Sequence, residues 1–273
     1  MAASCSSKFH QIPNALWERM IPLLPIYKTN CKGGRPRLPL RNVMTGILYV
    51  LRTGCQWKAM PREFGSGSAI HAYFQEWVER GVFARLWRLA LEEYDELEGI
   101  DWQWQSLDGA LTKAPLGGEK TGKNPTDRGK LGVKRSVLSD GRGVPLGVAI
   151  DGANVHDQKL VQATLKSVPV RRPKPTARKR QHLCADKGYD AQSIRTAARR
   201  RRYVVHIPRK GEEPRISQRR AARARRWVVE RTHSWMNRAR RLLVRWEKKA
   251  GNYLGFIHLQ FALTTWRVAG VLG

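Results

Sequence analysis

Apolar residues recur at helical spacing through the first hundred positions and at strand spacing after them. Pro13 is suited to open a helix running to Leu24, with Leu16, Met20, Leu23 and Leu24 on its inner face. Residues 40–52 carry Val43, Ile47, Leu48, Val50 and Leu51, and Gly54 stands where a left-handed residue would end that helix. Ser68 is placed to cap a third helix through Glu79, closed by Gly81, and residues 82–93 continue as a fourth. The acid-rich stretch 92–101 reads as a hinge to a second domain.

From Trp102 the period changes. Residues 102–108, 131–139, 144–150 and 182–185 read as strands, and Asp140-Gly141-Arg142-Gly143 has hairpin-turn chemistry between the middle two. Asp157 can cap a helix to Lys166, Asp190 or Ser193 one to Arg201, and residues 203–207 form a further strand. Gly211–Pro214 breaks the chain before residues 219–246, which read as one long helix. At about 100° per residue, Val228, Thr232, Trp235, Ala239, Leu242 and Trp246 share one face of that helix. Arg223, Arg226, Asn237 and Arg241 share the other, with Glu230 among them. The order implies an all-helical part over residues 1–98 followed by an α/β domain over 99–273.

Charge adds a partner to this outline. The chain has 273 residues, 51 Lys+Arg against 22 Asp+Glu, and a net charge of +29. Most of the excess lies in residues 171–249, where a field of one sign opposes folding unless a polyanion such as nucleic acid receives it. No apolar run approaches the roughly 20 residues of a membrane span, so a membrane partner is not expected. Cys5, Cys31, Cys55 and Cys184 are scattered without zinc spacing, and residues 1–7 lack the pattern of a secretory signal; both point to a reduced, cytoplasmic setting. No phosphate-cradling loop, dinucleotide glycine motif or nucleophile elbow occurs, which excludes a nucleotide cofactor and the commonest hydrolase chemistry.

The remaining candidates are acids. Asp108 follows an apolar strand and precedes Gly109; Asp186 does the same ahead of Lys187-Gly188. Either could be a turn or cap aspartate, or a metal ligand at a strand end. Glu230 is the only carboxylate between Glu213 and Glu247, so it is either a structural ion-pair partner for the arginines or a metal-binding acid on a phosphate-gripping surface. Helical and turn roles account for Asp140 and Asp157, and His156 reads as structural beside them.

Three motifs in order resemble the DDE transposases of bacterial insertion sequences. They are Ser106-Leu107-Asp108-Gly109, Cys184-Ala185-Asp186-Lys187-Gly188-Tyr189-Asp190 and Trp227-Val228-Val229-Glu230-Arg231-Thr232. Thr126-Asp127-Arg128-Gly129-Lys130, Ala153-Asn154-Val155-His156-Asp157, Gly34-Arg35-Pro36-Arg37 and residues 47–57 extend the likeness over about 17–267. The chain is most similar to the insertion-sequence-five family, related to the insertion-sequence-four group. It departs from the latter at Arg223, where tyrosine is usual, and at Asn237, where lysine is usual.

The resemblance implies a ribonuclease-H-like catalytic domain preceded by a small all-helical DNA-binding domain. It makes Asp108, Asp186 and Glu230 the ligands of two Mg²⁺ (or Mn²⁺) ions that cleave the ends of the element and join their 3′-hydroxyls to target DNA. Terminal inverted repeats and target DNA become the partners, with a homodimer or larger synaptic complex on the bacterial nucleoid. Arg223, Arg226, Asn237, Arg241, Lys187 and Lys113 are then expected against DNA phosphates. Arg35 and Arg37 suit a minor-groove arm or a plain basic loop. Ser68 and His71 would lie on a recognition helix, or on an ordinary packing helix, since Ile70, Phe74 and Trp77 demand a core. A metal-dependent endonuclease that never joins strands, and a silent DNA-binding relative, remain open readings.

Overall fold

The computed structural model describes residues 11–27, 36–209 and 216–272, with the backbone alone for 216–224 and 226. The helical part is built from α1 (Asn14–Met20), α2 (Leu40–Thr53), α3 (Gly67–Glu79) and α4 (Val82–Leu97). Gly54 ends α2 in the left-handed conformation at φ 72°, as the sequence predicts, and Gly81 turns the chain from α3 into α4 at φ 68°. The start of α3 differs from expectation. Ser66, not Ser68, is the cap, its hydroxyl accepting the Ala69 N–H at 3.2 Å. Gly67 is pressed against Trp57, where a Cβ would stand 1.9 Å from the carbonyl oxygen, so only glycine can open the helix there.

The expected hinge is a helix end. Residues through Leu97 belong to α4, and Gly99 at φ 72° turns the chain. The junction is fixed by Asp140 of the hairpin, whose buried carboxylate accepts from the Tyr94 hydroxyl at 3.1 Å and the Asp101 N–H at 3.3 Å. Acid-rich composition suggested a hinge; one buried acceptor from a distant turn ties that stretch down instead.

The sheet contains β1 (Trp104–Lys113), β2 (Gly122–Lys123), β3 (Leu131–Ser139), β4 (Pro145–Gly152), β5 (Gln181–Cys184) and β6 (Tyr203–His206). Its main path runs β4-β3-β1-β5-β6, with β2 pairing the first residues of β3. β1, β3 and β4 are antiparallel, whereas β5 and β6 add parallel to β1. This mixed sheet, with helices on both faces, is the ribonuclease-H-like α/β architecture. On one face α5 (Asp157–Lys166) packs on β3 and β4, where Thr164 donates to the Ser136 hydroxyl at 2.8 Å. α6 (Gln192–Arg200) lies beside β6. On the other face α7 (Ile216–Asn237) crosses β1 and β3.

β1 is longer than its apolar run. Asp108 is an interior residue of the strand, because β3 supplies an antiparallel ladder from Ser106 out to Lys113 despite the polar sequence there. The long arginine helix is shorter than expected and ends at Asn237. The chain turns, forms α8 (Arg240–Leu243), then runs extended so that Arg245 N–H bonds the Lys113 carbonyl at 2.8 Å. A last helix, α9 (Ala250–Val268), is buried almost all round and packs between α3, α4 and β4. Phe256 stacks on Phe74 with ring centroids 4.3 Å apart, and Trp266 donates to Glu93 at 2.7 Å. One continuous core therefore joins the helices to the sheet. Among the described residues no helix is long and apolar enough to cross a membrane.

Candidate functional site

The parallel ladder between β1 and β5 ends at the pair Ser106–Cys184. Asp108 and Asp186 each stand two residues beyond that pair. Asp108, inside β1, and Asp186, just past the end of β5, therefore lie the same number of residues beyond the last paired position on adjacent segments. A nearby backbone N–H holds each: Gly109 N–H donates to Asp108 Oδ1 at 2.8 Å, and Gly188 N–H donates to Asp186 Oδ1 at 2.8 Å.

α7 brings the third acid. The Ser106 hydroxyl donates to the Arg225 carbonyl at 3.0 Å, and His233 lies against the Asp108 backbone, so residues 225–233 are laid along β1. Val228, Val229 and Thr232 are buried beneath the helix, with Thr232 donating to the Gly143 carbonyl at 2.7 Å. Glu230 sits between these anchors on the exposed side. The side chains of Arg223 and Arg226 lie outside the described residues, although both positions belong to α7.

The other expected contact residues divide. Lys187 is exposed directly after Asp186, and Lys113 is exposed at the end of β1, 3.3 Å from Asp127. Asn237 is exposed, and its side-chain oxygen accepts from Arg135 at 3.1 Å. Arginine only donates, so it is the oxygen of the Asn237 amide that faces Arg135. Arg241 is corrected: it is buried, donating to Glu247 at 2.7 Å and to the Cys55 carbonyl at 2.9 Å. The chain turn after Asn237 takes it off the exposed ridge. Arg35 falls outside the described residues. Arg37 lies over the Tyr27 ring, 4.6 Å from its centroid, and does not extend as an arm. Ser68 is exposed, but His71 is half-buried and stacked on Trp57 at 4.8 Å, with its imidazole held low by burial, Arg241 and Lys249. The structure thus turns His71 inward, against the expectation of a base-reading residue.

Asp157 is the residue that sequence reasoning passed over. His156, not Asp157, takes the cap position of α5. The Asp157 carboxylate instead pairs with Lys134 at 3.1 Å and lies against Gly109, the residue after Asp108. Burial, and then the neighbouring charges of Asp157, Asp108 and Asp186, push the Tyr189 hydroxyl far above the usual phenol range. The only signal in the sequence was the Asn-Val-His-Asp motif itself.

All these ligand candidates are carboxylates, the hard oxygen donors that Mg²⁺ and Mn²⁺ prefer. Among the described residues no three of His, Cys, Asp or Glu close around one point. Mg²⁺ keeps several waters and takes one or two protein carboxylates, so the donor type of Asp108, Asp186 and Glu230 suits it.

Two family profiles match the chain. That of a putative transposase of the IS4/5 family covers residues 12–87, and that of a transposase DDE domain covers 101–265, more than half of the chain. The putative transposase for insertion sequence element IS402 of Burkholderia cepacia is 38% identical over 158 residues, 55% of this chain and 70% of that protein. An uncharacterized 16.2 kDa protein of the same element and organism is 35% identical over 118 residues, 42% of this chain and 80% of its own length. A crystal structure of a pre-cleavage Mos1 transpososome overlaps 89% of this chain and 82% of its own at 12% identity, with a TM-score of 0.30, too loose to carry an argument. With profiles over both parts and a relative at 38% identity, the chain belongs to the DDE transposases of insertion sequences, DNA-cleaving and strand-transferring enzymes that use divalent metals.

Proposed function

We propose that this chain binds the terminal inverted repeats of its insertion sequence, cuts there, and joins the freed 3′-hydroxyls to target DNA. Its setting would be the nucleoid in the bacterial cytoplasm. The observation that carries the reading is the register of Asp108 with Asp186 beyond the last parallel pair, with Glu230 on the helix laid across the same strand. Asp108, Asp186 and Glu230 would hold two Mg²⁺ or Mn²⁺ ions. Bound there, the metals supply activation of water and then of the 3′-hydroxyl, and stabilisation of the leaving oxygen.

The protein's own groups orient the DNA. Lys187 stands beside Asp186 and can neutralise a phosphate next to the cut; Asn237 offers its amide donor two helical turns from Glu230. Arg223 and Arg226 on α7 and Lys113 at the end of β1 would extend that grip along the backbone of the element end. The helical part over residues 1–98 would bind the inverted repeat, through the exposed side of α3 around Ser68 rather than through His71. Two protomers would pair on two ends, which gives a homodimer or larger assembly.

Purified protein incubated with end DNA, target plasmid and Mg²⁺ should give joined product, and EDTA should abolish it. Glu230→Gln should lose cleavage and joining by roughly 10³-fold or more while still retaining end DNA in a mobility-shift assay. Undiminished cleavage by that variant would remove Glu230 from the site. Cleavage with no joining of a pre-cut end would reduce the activity to that of a nuclease.

A further inference from the structure

We propose that the start of α5 is a positioning unit of the catalytic centre, in which Asp157 and Gln158 fix the spacing between the segments that carry Asp108 and Asp186. This inference rests on the three-acid reading above.

The contacts run to both segments. On the β1 side, a Cβ at Gly109 would lie 2.4 Å from Asp157 Oδ1 and 3.2 Å from the Tyr189 hydroxyl. Both side chains therefore close on the backbone immediately after Asp108, and only glycine leaves them room. On the β5 side, Gln158 Nε2 donates to the Gly188 carbonyl at 3.0 Å, while the Gly188 N–H donates to Asp186. Lys134 locks the unit from β3. Its ammonium, 8% exposed as a residue, donates to Asp157 Oδ2 at 3.1 Å and to the Val155 carbonyl at 2.7 Å.

Helix formation needs none of this. His156 already occupies the cap position, so Asp157 is not needed to start α5. A half-buried carboxylate aimed at the strand that carries Asp108, with its own buried cation, is an arrangement in excess of what the helix requires. Groups behind metal ligands commonly set ligand orientation, and their loss costs metal affinity or activity. Asp157 and Gln158 are positioning residues here; they act through Gly109 and Gly188.

The test compares wild type, Asp157→Asn, Gln158→Ala and Asp108→Asn by titration calorimetry with Mn²⁺ alone, by thermal melts, and by the Mn²⁺ dependence of end cleavage. Asp157→Asn and Gln158→Ala should bind Mn²⁺ roughly 10-fold more weakly, with cleavage recovering as Mn²⁺ is raised. Gln158→Ala, at a half-buried site on the first turn of α5, should melt like wild type, so it decides the matter should Asp157→Asn fail to fold. If both variants bind Mn²⁺ as wild type does while Asp108→Asn loses it, the positioning role is overturned and the three-acid reading stands. If Asp108→Asn itself binds and cleaves normally, the three-acid reading fails and this inference falls with it.

Discussion

Single buried groups give this protein a pH dependence whose sign can be worked out. Burial, with Arg135 beside it, holds the His233 imidazole down at about 4, and burial against Trp87 does the same for His258. Their ordinary value is near 6.5, so the unfolded chain takes up protons first as pH falls. Stability from these groups is complete above 6.5 and is lost between 6.5 and about 4, up to about 3 kcal/mol for the buried His233 and less for the half-buried His258. Asp140 works the other way: burial pushes its carboxyl up to about 6, so the folded state holds that proton longer and stability falls as pH rises from 4 to 6. Two histidines outweigh one carboxyl, so the melting temperature should rise with pH across this window. His233→Phe should flatten the rise and Asp140→Asn should steepen it, both read from melts at pH 4 to 7. A melting temperature that falls from pH 4 to 6.5 in the wild type would contradict the assignment.

Elements show where sequence patterns carried information and where they did not. The helices α2 and α4 and the β3–β4 hairpin were legible because core spacing, a left-handed glycine and turn residues all agreed. The acids Asp108 and Asp186 were legible as strand-end residues for a reason that partly failed: Asp108 is interior to β1, and the end that matters is that of the parallel ladder. Periodicity could not reveal it, since strand length is set by the partner strand. The same limit hid Asp157, whose partner Lys134 is on another element, and it carried the arginine helix nine residues too far. Arg241 looked like a surface cation because helical phase was extrapolated through a turn. In the structure it forms a buried pair with Glu247, the two side chains only 7% and 4% exposed. Breaking such a pair strands a charge, so Glu247→Leu alone should destabilise by about 3–5 kcal/mol in denaturant unfolding. The double variant Arg241→Met, Glu247→Leu should recover most of that loss and leave DNA affinity and its salt slope unchanged. A drop in salt slope of about 0.9 in the double variant would return Arg241 to the DNA surface.

At the scale of the whole molecule, sequence order and spatial order part ways. The helical part ends near residue 98 along the chain, yet α9, from the far end, packs directly against α4 and α3. Phe256 stacks on Phe74 and on Trp57, while Gly255 lets Val78 come within 2.5 Å of where a Cβ would be. Glu93 joins three parts at once, accepting from Arg19 of α1 at 2.8 Å and from Trp266 of α9 at 2.7 Å. A separately expressed 1–98 fragment would expose the aromatic face that α9 covers, including Phe74, Phe83 and Trp87. Such a face is large enough to drive association in place of folding. The fragment should therefore aggregate or give non-cooperative melts, and adding residues 250–268 through a flexible linker should restore a cooperative transition and end-DNA retention. A monomeric 1–98 fragment with a sharp melt would mean that the helical part is self-sufficient. The coupling also bears on catalysis: the helices proposed to bind the element end and the sheet that bears the acids share one core, so strain at one side is transmitted to the other without a loose joint between them.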